Sequence, residues 1–245
     1  MEFYDIHSHI LAKVDDGAET FEMSCRMLDM AYEEGIRHLC VTPHYNRHNA
    51  DDAERPKKVV RAFRALELYA KKQYEDMHLY RGNEVMYFPD MVKYLDSGSI
   101  TTMNGGRYVL MEYKPNASYH NVYSGLQQIL YGGYLPVLAH VERLDCLIDE
   151  WDKLEELKES GVILQMNTDG LIGGRFDRWV RRCRALVEDG YIDVLGTDAH
   201  NMTSRPPQYR KAAEWIEKKC GHARLRQLAE ENPRAILENR LISST

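Results

Sequence analysis

No apolar run in this sequence approaches the ~18 residues needed to cross a bilayer, so membrane insertion is not expected. There is no Lys/Arg block either. With a formal net charge of −6 spread along 245 residues, an electrostatic footprint for nucleic acid is missing. The five cysteines (Cys25, Cys40, Cys146, Cys183, Cys220) are odd in number and scattered, without a C-x-x-C pair. That excludes a disulfide framework and a zinc knuckle and leaves reduced thiols. Asp5 and His7 stand where a signal peptide would carry a basic and then an apolar stretch, so a cytoplasmic protein is the expectation. No interdomain linker or low-complexity segment interrupts the chain, and one domain over residues 1–245 follows.

What is present is alternation. Short apolar runs predict strands at Glu2–His7, Arg37–Thr42, His78–Glu84, Arg107–Glu112, Leu135–His140, Val162–Asn167 and Ile192–Asp198. Between them, amphipathic stretches predict helices. Thr20–Glu34 has Thr20 as its cap, and Pro56–Glu75 has proline at its first position. Trp151–Ser160 and Phe176–Asp189 each stop at a glycine. The longest loops are Pro43–Arg55 and Thr168–Arg175, and the tail from Gln208 to Asn239 reads as helices over the outside. Strand–helix alternation without a repeated Gly-rich phosphate turn favours an α/β barrel over an open doubly wound sheet.

The placement of polar residues is more telling. The stretch "DIHSHILAKVDDG" puts His7 and His9 two apart, on one face of an extended chain. The following strands run into His44, Glu84, Glu112, His140, and Asp198 with His200, so all but one candidate strand finishes in His, Asp or Glu. Active sites of parallel barrels are built at those ends, whereas a chance scatter of surface histidines would not collect there. Imidazole and carboxylate donors together suit zinc, manganese or iron. Their number exceeds the needs of one ion and implies a multinuclear site with a bridging carboxylate such as Glu84.

In this order "DIHSHILAKVDDGA", "VTPHY", "GNEVMYFPD", "VLMEY", "LPVLAHVER" and "GTDAH" resemble the PHP (polymerase and histidinol phosphatase) superfamily. Within it they are most similar to the bacterial protein-tyrosine phosphatase branch. The likeness runs from Met1 to "ENPRAILEN" (Glu231–Asn239). H-x-H alone is weak; the ordered set, with "DDG" after the first motif and "SRPP" after the last, is specific. The resemblance implies a distorted seven-stranded (β/α)7 TIM-like barrel holding three divalent ions, manganese first, with iron or zinc as alternatives. It implies that His7, His9, Glu84 and Asp198 hold one ion and that Glu84, Glu112 and His140 hold a second. Asp16, His44 and His200 would hold the third, with Asp15 a helper or a surface group. Arg143 and Arg205 resemble residues that hold the substrate phosphate. Val141, Leu144 and Met202–Ser204 depart from the common pattern without touching a ligand.

The implied activity is hydrolysis of protein phosphotyrosine by a metal-activated hydroxide. The implied partner is a bacterial tyrosine kinase of capsule or exopolysaccharide synthesis, attacked at its autophosphorylated tail. The competing activity is a phosphoesterase for a small monoester such as histidinol phosphate. An amidohydrolase also opens with H-x-H, but "DDG" and "GTDAH" fit it less well, and a metal-stabilised binding module would not need two spare arginines. Cys220 and Arg226 satisfy the C-x5-R of cysteine-dependent tyrosine phosphatases, yet they lie in a helical stretch without a phosphate cradle.

Overall fold

The computed structural model describes residues 1–49, 52, 54–174 and 176–242; residues 50, 51, 53 and 175, on the two long loops, lie outside them. Among the described residues there are nine strands: β1 (Phe3–Asp5), β2 (Ile36–Val41), β3 (His44–Tyr45), β4 (His78–Arg81), β5 (Glu84–Met86), β6 (Tyr108–Glu112), β7 (Leu135–Leu138), β8 (Ile163–Asn167) and β9 (Val194–Gly196). All described pairings are parallel, in the orders β1-β2-β4 and β3-β5-β6-β7-β8-β9. A parallel bridge between Ser8 and Ala199 brings the chain just beyond β1 beside the chain just beyond β9. His9 N donates to Ala199 O at 2.9 Å and Asp198 N to His7 O at 2.8 Å. The result is an α/β fold with a curled parallel sheet.

The helices are α1 (Phe21–Glu33), α2 (Arg55–Gln73), α3 (Met91–Asp96), α4 (Tyr119–Tyr131), α5 (Trp151–Glu159), α6 (Arg178–Glu188), α7 (Arg210–Cys220), α8 (His222–Arg226) and α9 (Asn232–Leu237). The four predicted from sequence are present within a few residues. Thr20 caps α1 by accepting from Met23 N at 3.1 Å.

Two expected strands are interrupted. The second stops at Val41 and resumes as β3 after Pro43, which has no N–H for the ladder. The third breaks at Gly82–Asn83, where the Asn83 amide donates to Pro43 O at 2.9 Å and accepts from Thr101 N at 2.8 Å. The break lets β3 and β5 pair in a register that sets His44 beside Glu84.

Along β6 the side chains alternate between two apolar clusters. Val109 and Met111 pack outward with the helices, while Tyr108 and Leu110 point to an inner cluster with Tyr4, Ile6, Val137, Ile163 and Val194. Both faces being apolar is why these strands read as continuous hydrophobic runs. The tail divides its work. α7 lies on the outer cluster through Ala212, Ala213 and Ile216, as expected of a covering helix. In contrast to that expectation, α9 sends Ile236 and Leu237 into the inner cluster and stops the lower end of the curled sheet.

Candidate metal centre

Regular pairing of the first strand ends at Asp5, so His7 and His9 sit on the extension beyond it. Their rings still converge, with Nε2 atoms 3.3 Å apart. Each ring is held from outside at Nδ1. His7 Nδ1 faces Gln165 Oε1 at 3.1 Å, His9 Nδ1 faces Asp15 Oδ2 at 2.8 Å, and His200 Nδ1 faces Asp198 O at 2.9 Å. An oxygen acceptor at Nδ1 fixes the proton there and leaves the Nε2 lone pair pointing inward.

The carboxylates meet these nitrogens. Glu84, 1% exposed, places Oε1 3.2 Å from His7 Nε2 and 2.8 Å from His140 Nε2. Its Oε2 lies 3.1 Å from His9 Nε2 and 3.0 Å from His44 Nδ1. Glu112 Oε1 is 3.0 Å from the same His44 nitrogen. Asp198 Oδ1 is 3.4 Å from His7 Nε2 and 3.5 Å from His9 Nε2. Asp16, largely exposed, approaches His44 Nε2 at 3.3 Å and His200 Nε2 at 3.5 Å.

Three groups have donor atoms within 4.8 Å of one another: His7, His9, Glu84 and Asp198; His9, Asp16, His44 and His200; and His44, Glu84 and Glu112. Eight of the nine expected ligands fall in these groups at the upper end of the sheet, where the strands' C-terminal ends lie, and the ninth, His140, adjoins them through Glu84. The grouping differs in detail from the implied one. His44 joins the Glu84–Glu112 pair, and His140 stands beside it, with its Nε2 4.0 Å from Glu112 Oε2.

These residues fit divalent cations. His44 Nδ1, Glu84 Oε2 and His200 Nε2 are buried without a hydrogen-bond partner, although the first two lie 3.0 Å apart. Buried lone pairs that face one another are costly unless a cation stands among them. Protons reveal the same demand. Burial opposes charge on His9, yet Asp15 and Glu84 outweigh it and raise the pKa to about 9. Burial likewise works against Glu84, but His7, His140 and His44 hold its carboxyl well below the usual range. His200, buried beside His9, is pushed down to about 4.

Local backbone serves the cluster. His140 (φ 36°) and Asp198 (φ 52°) are left-handed, a conformation that costs a non-glycine residue about 1–3 kcal/mol and tends to concentrate at functional sites. Gly17 of "DDG" packs so closely on His9 that a Cβ would stand 1.8 Å from its carbonyl oxygen. Only glycine permits the fold-back that carries Asp15 and Asp16 to the site.

Arg143 and Arg205 both reach the centre. Arg143 Nη1 donates to Asp198 Oδ2 at 3.0 Å and its Nη2 to Asp169 Oδ2 at 3.4 Å, and Arg205 Nη2 donates to the same Asp198 oxygen. Asp5 is fully buried and belongs to none of the three groups, accepting from Thr197 and from His7 N. Sequence reasoning does not reach Gln165 and Asn167, both on β8 and both fully buried. Asn167 Nδ2 donates to Asp198 Oδ2 at 2.8 Å. The available signal was a pair of amides at i and i+2 in an otherwise apolar strand.

The C-x5-R pair lies on helices, as expected: Cys220 ends α7, Arg226 ends α8 and pairs with Glu231, and burial raises the Cys220 thiol.

Known proteins resemble this chain along nearly its whole length. Tyrosine-protein phosphatase CpsB of Streptococcus pneumoniae is 33% identical over 243 residues, covering 97% of this chain and 99% of that protein. Tyrosine-protein phosphatase YwqE of Bacillus subtilis (strain 168) is 30% identical over 243 residues, covering 97% and 92%. A solved chain, from crystal structures of YwqE from Bacillus subtilis and CpsB from Streptococcus pneumoniae described as unique metal-dependent tyrosine phosphatases, superposes with a TM-score of 0.89. Its identity is 28%, and the match covers 99% of this chain and 97% of that one. Residues 3–238 match the family described as "Capsular polysaccharide synthesis, CpsB/CapC", and the chain belongs to that family.

Proposed function

We propose that this chain is a metal-dependent protein-tyrosine phosphatase that hydrolyses phosphotyrosine on a bacterial tyrosine kinase of the capsule pathway, in the cytoplasm. The carrying observation is the inward convergence of His7 and His9 Nε2 on Glu84 and Asp198, with two arginines at the cluster's edge. Its names among relatives point the same way. The proposal includes three ions, manganese by preference, held by His7, His9, Asp16, His44, Glu84, Glu112, His140, Asp198 and His200. It also takes β2 with β3 and β4 with β5 as two interrupted strands of one seven-stranded barrel, a single domain.

When bound, such ions supply Lewis acidity to the phosphoryl oxygens and acidify a water to a nucleophile near neutral pH. The chain's own residues do the rest. Glu84 spans two groups and keeps them in one constellation. Arg143 and Arg205, about one third exposed, present planar forks that can pass from Asp198 to a phosphoryl group and grip it through paired hydrogen bonds. The tyrosine leaving group has an ordinary pKa of ~10, so a strong general acid is not required. No thiol or hydroxyl nucleophile is needed.

The test is an assay of a phosphotyrosine peptide against histidinol phosphate with manganese, and with EDTA. Preference for the peptide, abolished by chelation, is expected. Preference for histidinol phosphate, or activity that survives chelation and exhaustive metal removal, would defeat the reading.

A further inference from the structure

Gln165 carries a directional constraint. Its Oε1 lies 3.0 Å from the backbone N of His140 and 3.1 Å from His7 Nδ1. A backbone N–H can only donate, so the side-chain atom facing it must be the oxygen. The other end of the amide is then the NH2, and it faces Asn167 Oδ1 at 2.9 Å. That in turn fixes the Asn167 NH2 toward Asp198 Oδ2 at 2.8 Å. One obligate donor therefore orients two amides. Both are fully buried on β8, where water cannot substitute for a lost partner.

We infer that Gln165 and Asn167 form a one-directional amide relay that positions His7, His140 and Asp198 for cation binding. The relay accepts the His7 Nδ1 proton, which leaves Nε2 as the donor to the centre. It fixes the left-handed backbone at His140 through its N–H. At the far end the Asn167 N–H donates to Asp198 Oδ2, turning Oδ1 toward His7 and His9. The relay is anchored beyond the amides as well, since Glu142 Oε1 accepts from Asn167 N at 3.2 Å. Both are positioning residues, with no contact to substrate. The two arms are separable: the His7 arm depends on the Gln165 oxygen, and the Asp198 arm depends on the Asn167 NH2.

This inference rests on the metal-centre reading, and its test distinguishes the two. Zinc-loaded protein is used to follow the His7 Nδ1–H signal in long-range proton–nitrogen spectra, assigned by its loss in His7→Asn. Manganese affinity is measured by chelator competition. Gln165→Met conserves volume and removes both functions. It should lose the protected His7 signal and weaken manganese binding by about 10- to 100-fold, the usual effect of removing an outer partner of a ligand. Gln165→Glu keeps the acceptor and should restore the His7 signal while leaving the Asp198 arm broken. Asn167→Leu should keep the His7 signal and still weaken manganese about tenfold.

If Gln165→Met fails to fold, the other two variants decide the matter, because a purely structural role would not split the two readouts between them. A His7 signal and a manganese affinity unchanged in all three variants would overturn the relay. Wild-type protein that takes up neither zinc nor manganese would instead defeat the metal-centre reading itself, and the relay's role in cation binding with it.

Discussion

The two ends of the curled sheet are opposite in character. At the upper end polar atoms face one another unpaired: of eight buried side-chain atoms without a hydrogen-bond partner among the described residues, six belong to His44, Glu84, His140, Glu142, Asp169 and His200. At the lower end the inner cluster is apolar and α9 closes it. Polar groups there are bonded, with Asn104 donating to Leu237 O at 2.9 Å, Asn232 to Asp193 O at 2.8 Å and Tyr108 to Arg240 O at 2.7 Å. The lower end is satisfied by the chain's own groups, whereas the upper end presents buried donors that cations would satisfy. The same strands serve both because their inward positions change from Tyr4, Ile163 and Val194 below to Gln165, Asn167 and the ligands above.

The largest effect should come from breaking the upper end. Glu84 belongs to two of the three candidate groups, so Glu84→Ala removes a shared donor. Losing metal stabilisation of the transition state costs several kcal/mol, so kcat/KM should fall by about 10³-fold or more. Bound manganese should fall with it. A Glu84→Ala protein with full metal content and activity would remove the carboxylate from the centre.

Next come the arginines. Arg143 and Arg205 share Asp198 Oδ2 with Asn167, so removing either arginine leaves the fully buried Asn167 amide to orient that carboxylate. Arg143→Ala or Arg205→Ala should therefore keep its metal. Each lost charge-assisted bond to the phosphoryl group is worth roughly 1.5–3 kcal/mol, which lowers kcat/KM about 10- to 100-fold. Loss of metal in these variants would give the arginines a structural role through Asp198 instead.

The lower end should answer in stability, not rate. Leu237 is 3% exposed within the inner cluster. Leu237→Ala should cost about 2–5 kcal/mol by cavity formation, lowering the melting temperature by roughly 5–15 °C. At 25 °C, kcat should stay within a few-fold. A comparable loss of kcat in folded protein would mean that the two ends are coupled.

The upper end was legible in the sequence because ligation demands particular residue types, and apolar strands ending in His, Asp or Glu announce themselves. His7, His44, Glu84 and Asp198 all stand out in that way. Their grouping did not, since His44 can turn Nε2 toward Asp16 and Nδ1 toward Glu84 only once the chain is folded. Gln165 and Asn167 were silent because amides announce no chemistry of their own. Among the elements, α4 was hidden by its three tyrosines and by Gly125, which packs against Tyr87 and Tyr113 where a Cβ would collide. The role of α9 was hidden because Ile236 and Leu237 read equally well as the apolar face of an outer helix.

The smallest effect concerns Cys220, at the far end of α7 from the ligands that precede it in the chain. Its C-x5-R spacing imitates a thiol phosphatase, so it tests whether sequence spacing or position in the fold governs chemistry. Burial holds the thiol above its ordinary pKa, and Arg226 is engaged with Glu231, so neither a thiolate nor a phosphate cradle is present. Cys220→Ser exchanges one small, half-buried polar group for another and leaves the inner cluster untouched. Activity should remain within about twofold, and the melting temperature within roughly 2–4 °C, the shift that ~1 kcal/mol produces in a chain of this size. Thiol alkylation should likewise spare the metal-loaded enzyme, with steady-state kinetics and metal analysis read together. A Cys220→Ser protein that retains its fold and its manganese but loses hydrolysis would overturn the assignment of chemistry to the upper end.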